Sequence, residues 1–306
     1  MIVELWAQTE VGLVRKGNED NYLILDLSTA RSWIPSNGDF PQDLERFEIG
    51  PRGLVLAVSD GMGGALAGDV ASAMAVEAVR EMLTDSETSY SDDERWLISS
   101  IQNAVVYANL SILCKSQEDV NLAGMGATFT GAALNGDVLN FSQVGDSRAY
   151  VIRGDQIRQV TKDQSLVQQL VDVGQITEVE AETHMFRNVI LQALGAQSDV
   201  SPATGQVHLR RGDILLLCSD GLSGKLRSDE ILNIVRTGND VRAACKALVD
   251  EAILKGGEDN ITVVLARIVG DDLQESPGDR IVVELPAVED DRTLQSDLDM
   301  DTERGP

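Results

Sequence analysis

The sequence predicts an α+β fold: two packed antiparallel β-sheets flanked by pairs of helices, an α-β-β-α sandwich. Three observations predict it. Strand-like runs come in consecutive groups, with helical stretches grouped rather than alternating with strands one by one, which argues against a doubly wound parallel sheet. Asn135-Gly136 and Gly154-Asp155 separate apolar runs as hairpin turns do. Residues 54–59 and 213–219 are nearly continuous apolar runs, the pattern of strands covered on both faces.

Each element has its own reason. Residues 2–8 alternate, with Val3, Leu5 and Ala7 on one face. Residues 22–27 read as a second strand. Residues 28–52 are polar, carry Pro35, Asn37-Gly38, Pro41 and Pro51, and read as a long loop. The buried strand 54–59 follows. Helices are expected at 67–83, rich in Ala, Met and Glu, and at 92–115, where Trp96, Ile101, Val105 and Leu113 recur at helical spacings. An antiparallel meander is expected at 127–134, 138–144, 148–153 and 156–160. Residues 164–186 are polar, with two short helical segments. A strand at 213–219, helices at 228–237 and 241–254 and a strand at 261–269 complete one domain over 1–269. Residues 270–306 are acidic and poor in aromatics. They are expected to be a disordered tail in which only 281–285 could pack as a strand.

Composition narrows the function. The chain has 306 residues, 43% of them hydrophobic, enough to bury a sizeable core. Its formal net charge is −25, of which −9 falls in residues 271–306. Such a surface repels nucleic acid and anionic lipid, so neither is an expected partner. No apolar run approaches the ~18–20 residues of a membrane span. No basic segment precedes the first apolar residues, so no signal peptide is read. Cys114, Cys218 and Cys245 show no CxxC pairing and read as small buried hydrophobes of a reducing cytosol. A soluble, cytoplasmic monomer is expected.

Four aspartates carry the chemistry. Asp20, Asp60, Asp220 and Asp259 lie in the tight turns RKGNED (15–20), LVLAVSDGMGG (54–64), ILLLCSDG (214–221) and GGEDN (256–260). Carboxylates repel one another, so a converging set is expected to hold hard cations such as Mg²⁺ or Mn²⁺. Gly61, Gly63 and Gly64 leave the backbone after Asp60 free to approach a ligand. Arg15 precedes Asp20 by five residues, and its planar fork suits a phosphate. Asp146, in the turn GDSR, could join the cluster or pair with Arg148. Asn260 could fix the last turn by bonding to backbone. Two histidines, His184 and His208, are too few and too far apart for a zinc site, and no Ser/His/Asp triad stands out.

The ordered set resembles a known family. RKGNED, VSDGMGG, GMGAT (124–128), VGDSRAY (144–150), TKDQSL (161–166), FRNVILQALG (186–195), LCSDGL (217–222) and GGEDNITVV (256–264) are similar to the successive motifs of the metal-dependent PPM/PP2C protein phosphatases, in their bacterial form. The resemblance spans about residues 1–269 and implies the same two-sheet fold. It implies that Arg15 binds phosphate, that Asp60 bridges two metals with the Gly61 carbonyl beside it, and that Asp220 and Asp259 ligate the first metal. Glu19 and Asp20 would hold metal-bound waters, Asp146 would serve a weaker third metal, and 164–188 would be a flap carrying His184 and Arg187. The implied reaction is hydrolysis of phosphoserine and phosphothreonine by a metal-bridging hydroxide. Phosphorylated proteins, and the kinases that make them, are then the expected partners. A phosphoprotein-binding module with weak or no turnover is the alternative. Two departures stand out: Met62 replaces a His that eukaryotic relatives carry, and Gln164 replaces a His common after TxD.

Overall fold

Period-two alternation sets which way each strand faces, and it builds three cores from one set of strands. The computed structural model describes residues 1–38, 40–63, 67–85, 96–275 and 278–285. In chain order the elements are β1 (Ile2–Glu10), β2 (Asp20–Asp26), β3 (Arg31–Trp33), β4 (Arg46–Glu48), β5 (Leu54–Met62), α1 (Gly68–Thr84), α2 (Trp96–Glu118), β6 (Gly126–Ala127) and β7 (Phe129–Asn135). There follow β8 (Val138–Val144), β9 (Arg148–Arg153), β10 (Gln156–Gln159), α3 (Leu166–Asp172), α4 (Glu178–Glu182), β11 (Ala203–His208), β12 (Ile214–Cys218), α5 (Asp220–Ser223), α6 (Ser228–Thr237), α7 (Val241–Leu254) and β13 (Ile261–Val269).

The strands form a six-stranded sheet, β10-β9-β12-β13-β1-β4, and a seven-stranded sheet, β11-β8-β7-β5-β2-β3 with β6 on β5. Between the sheets lie Tyr22 and Ile24 of β2, Leu54, Leu56 and Val58 of β5, Leu215 and Leu217 of β12, and Val264, Ala266 and Ile268 of β13. The alternate residues Leu23, Leu25, Val55 and Ala57 face outward under α1 and α2, which cover them with Ala71, Ala75, Val79, Ile101, Val105 and Ile112. On the other sheet Leu216, Cys218, Val263 and Leu265 meet Ile231, Val235, Ala244, Cys245 and Leu248 of α6 and α7. Each such side chain contributes roughly 1.5–3 kcal/mol on burial. A one-residue slip of β5 would exchange its two faces and mismatch both cores, so the register is strongly held.

The expected α-β-β-α sandwich is the observed one, and the strands at 138–144 and 261–269 and the helices at 228–237 and 241–254 match their observed bounds. Several expectations are corrected. Residues 28–52 are not simply a loop: β3 pairs with β2, β4 pairs with β1, and Leu44 between them is buried. This segment crosses from the edge of one sheet to the edge of the other. Cys114 is exposed, unlike Cys218 and Cys245. By length and composition α2 is apolar enough to span a membrane, contrary to the reading of the sequence. Its Leu97, Ile101, Ala104, Val105, Ala108 and Ile112 face instead packs into a core.

The folded part also runs past Val269. Ile281 is buried between the sheets. Glu284 pairs with Gln206 of β11 through two backbone hydrogen bonds of 2.8 and 2.9 Å. Arg158 donates to the Ile281 carbonyl, and Arg153 to that of Arg280. Residues 278–285 thus strap the side where the edge strands β10 and β11 would leave the two sheets open. The rest of the expected tail, 286–306, lies outside the described residues.

Candidate active site

Strand pairing brings the acidic turns to one end of the sandwich. Asp20, the first residue of β2, lies directly opposite Asp60 of β5. Cross-strand partners point the same way, with Cβ atoms roughly 4.5–5.5 Å apart. Asp146 sits in the turn that joins β8 to β9. Asp220 follows β12, and Asp259 precedes the neighbouring β13. Asp20, Asp60 and Asp146 therefore come from the seven-stranded sheet or its exit, and Asp220 and Asp259 from the six-stranded sheet.

Hydrogen bonds hold this end together. Asn260 accepts the Glu19 N–H at 2.8 Å and donates to the carbonyls of Val11 and Gly17 at 2.9 and 3.0 Å. It clamps the Arg15 loop onto the last turn, which is more than fixing its own turn. Glu19 is buried, and its carbonyl accepts the Gly61 N–H at 3.1 Å. Ser219 donates to Asp20 Oδ2 at 2.7 Å and accepts the Thr262 N–H at 3.0 Å. Thr128 accepts the Asp60 N–H at 2.9 Å. Close approach explains two glycines: a Cβ on Gly61 would lie 1.9 Å from the Gly68 carbonyl, and one on Gly221 1.9 Å from that of Asn260. Gly64 lies outside the described residues.

The electrostatics are those of acids without enough cations. Burial, opposed by the Ser219 and Thr262 bonds and reinforced by Asp220 and Asp259, pushes Asp20 up to about 7. Burial, with Asp220 and Asp163 adding to it and Arg148 opposing, pushes Asp146 up to about 7. Asp60 is raised well above the usual carboxylate range by burial and then by Asp20, Asp220, Asp146 and Asp259. Asp220 is raised by burial and by Asp259, with Asp60, Arg15 and Arg148 opposing. Buried Asp20 Oδ1 and Asp220 Oδ1 have no hydrogen-bond partner. An all-oxygen set with raised pKa values and orphaned oxygens fits a hard divalent cation, which would displace the protons such acids hold and give the orphaned oxygens a partner. Among the described residues no three such side chains already form a closed ligand set. The fit rests on the orphaned oxygens and the crowded charge.

Arg15 is not free in this structure. It forks onto Asp259, with Nε to Oδ1 at 2.8 Å and Nη2 to Oδ2 at 2.9 Å. Arg148 forks onto Asp163, not onto Asp146, which removes one of the two alternatives for Asp146. His184 Nδ1 accepts the Phe186 N–H at 3.2 Å, and the Arg187 charge is felt by Glu258 on the rim. Sequence reading missed Ser219, Thr128 and Thr262. A usable signal was present: Ser precedes Asp in both SDG turns, and Ser59 and Ser219 both bond into the site, Ser59 to the Thr128 carbonyl.

A two-sheet sandwich with a converging acidic centre at one end defines a class of cation-dependent enzyme architecture, and comparison with known proteins places the chain within it. Residues 35–252 match the protein phosphatase 2C family. The chain is 35% identical over 221 residues to the serine/threonine phosphatase Stp of Listeria innocua, an alignment covering 72% of this chain and 86% of that protein. It is 34% identical over 269 residues to the serine/threonine protein phosphatase PstP of Mycobacterium tuberculosis, covering 88% of this chain but 46% of PstP. The solved catalytic domain of PstP, in complex with two manganese ions, superposes with a TM-score of 0.69 at 32% identity, covering 88% of this chain and 99% of that one. The chain belongs to the protein phosphatase 2C family.

Proposed function

We propose that the protein is a Mg²⁺- or Mn²⁺-dependent phosphatase that hydrolyses phosphoserine and phosphothreonine in proteins. The observation that carries the reading is the pair of orphaned carboxylate oxygens, on Asp20 and Asp220, inside a crowd of acids with raised pKa values. Asp60, at the centre of that crowd, would be shared by two cations, with the Gly61 carbonyl beside it. Asp220 and Asp259 would complete one site, and Asp20 with Glu19 would hold the waters of the other. Asp146 would serve a third, weaker ion. When bound, the cations lower the pKa of water and neutralise charge on the phosphoryl group.

The chain's own residues do the rest. Arg15 turns its fork from Asp259 to two phosphoryl oxygens and orients the ester. Ser219 and Thr128 hold Asp20 and Asp60 in place, and Asn260 keeps the Arg15 loop at the rim. No side chain need become covalently attached to phosphate. Position 62, a Met, has no proton to give the leaving group. Phosphoproteins made by cellular kinases are the partners, and a cytoplasmic monomer is the form.

The test is turnover of a phosphothreonine peptide with Mn²⁺ and with excess EDTA, alongside thermal unfolding under the same conditions. We expect turnover only with metal, and a rise in Tm on adding Mn²⁺, because a ligand bound only by the folded state stabilises it. Metal-dependent stabilisation with no turnover would favour the non-catalytic phosphoprotein-binding reading. Neither effect would end both.

A further inference from the structure

One residue joins both ends of segment 164–191, which contains the expected flap, to the turn that carries Asp146. Gln164 donates its backbone N–H to the Gly145 carbonyl at 2.9 Å, and its side-chain Oε1 accepts the Gly145 N–H at 2.8 Å. Its own carbonyl accepts the N–H of Leu191, where the flap returns, at 2.7 Å. The bridge between Ser165 and Ile190 continues this closure. Segment 164–191 is therefore closed at its base on the residue next to Asp146.

The other side of the turn is gripped as well. Ser147 Oγ and Thr128 Oγ1 are hydrogen-bonded at 2.8 Å, and Thr128 also receives the Asp60 N–H. Gly145 has a φ of +101°, and a Cβ there would lie 2.7 Å from the Thr128 side chain. The turn is thus wedged between the Asp60 backbone and the flap base. The residues before Gln164 bond elsewhere: the Lys162 N–H to Gln143, and Asp163 to Arg148. Those bonds seat the approach to the flap, while Gln164 bonds the Asp146 turn itself.

We propose that Gln164 is a positioning residue. Through Gly145 it sets the aim of Asp146 and ties that aim to the position of the flap. The proposal rests on the phosphatase reading and deepens it. What the position needs is a side-chain acceptor of the right length. An amide carbonyl supplies one, and a neutral imidazole nitrogen can supply one, whereas a thioether is a weak acceptor.

Gln164→Met and Gln164→Ala remove the acceptor, and Gln164→His keeps one. In metal-free protein, amide exchange at Gly145 and Leu191 is expected to quicken several-fold in the first two variants. It should return toward wild type in the third. With Mn²⁺ and a phosphothreonine peptide, kcat/KM of Gln164→Met is expected to fall about fivefold, the size of one hydrogen bond, and to recover in Gln164→His. In an Asp146→Ala background, Gln164→Met should have no further effect, because the two act as a unit. Unchanged Gly145 exchange in both acceptor-free variants would overturn the proposal. So would a Gln164→Met effect of equal size with and without Asp146, which would make the residue merely structural. The exchange measurement needs no turnover, so an inactive wild-type protein would count against the phosphatase reading and leave the exchange result to judge Gln164.

Discussion

The two ends of the sandwich bury carboxylates in opposite ways. At the end away from the acidic turns, Asp213 is 1% exposed and lies in the fork of Arg153, itself 4% exposed, with contacts of 2.9 and 2.7 Å. Arg153 also donates to the carbonyls of His208 and Arg280, and Asp213 accepts the Arg210 N–H. At the acidic end, Asp20, Asp60, Asp146 and Asp220 are crowded together, and the nearby guanidiniums are taken by Asp259 and Asp163. β9 and β12 connect the two ends over a length of only about 20 Å. A buried charge needs a partner. At one end the chain supplies the cation and gains structure. At the other the guanidiniums go to Asp259 and Asp163 instead, which suits the cation site proposed above.

Mutations at the two ends should therefore differ in kind. Asp60→Asn is expected to lower turnover of a phosphothreonine peptide on the order of a thousandfold or more. Without metal its Tm should not fall, since one of several mutually repelling acids is gone. A marked loss of Tm would mean that the acids are structurally required. At the other end, Arg153→Met leaves Asp213 buried and unpaired, and urea unfolding should show a loss of about 3–5 kcal/mol. Its kcat at low temperature should stay near wild type. A large fall in kcat with normal stability would erase the distinction between the ends.

The strap sharpens the comparison on the structural side. Ile281→Ala should destabilise by about 2–4 kcal/mol by emptying a site between the sheets. Truncation after Gly270 should be worse than truncation after Leu285. If truncation after Gly270 left Tm unchanged, the packing of Ile281 would carry no stability. On the catalytic side a change smaller than that of Asp60→Asn is expected for Arg15→Ala, which should raise KM for a phosphopeptide about tenfold with kcat less affected. The phosphate it would hold is present before the transition state. Unchanged KM would leave Arg15 as a partner of Asp259 alone.

Much of this was legible from residue order, and the exceptions have physical causes. Long elements with strong periodicity, such as 241–254 and 261–269, could be read to the residue. β3 and β4 could not, because three residues are too few to display an alternation. β11, ATGQVH, carries a Gly and little apolar character, and it becomes a strand by pairing with β8 on one side and Glu284 on the other. Ile281 was visible only as a candidate, since its burial depends on the gap left by other strands. Asp60, Asp146 and Asp220 announced themselves by following apolar runs, and Asp20 and Asp259 by sitting in the short polar turns RKGNED and GGEDN. Their hydrogen-bond partners did not, because a Ser or Gln looks the same whether its neighbour in space is water or an aspartate.

Residue order by itself determined the class of fold, the order of most elements and the acidic chemistry, because strand alternation, helix spacing and turn residues act over a few neighbouring positions. The tertiary structure alone decided which carboxylates would be paired and which left open. Arg15 closes on Asp259, Arg148 on Asp163 and Arg153 on Asp213. These partners lie 244, 15 and 60 residues apart in the chain. Ion pairing depends on distance and dielectric rather than on spacing along the chain, and both come into being only when the two sheets close on each other.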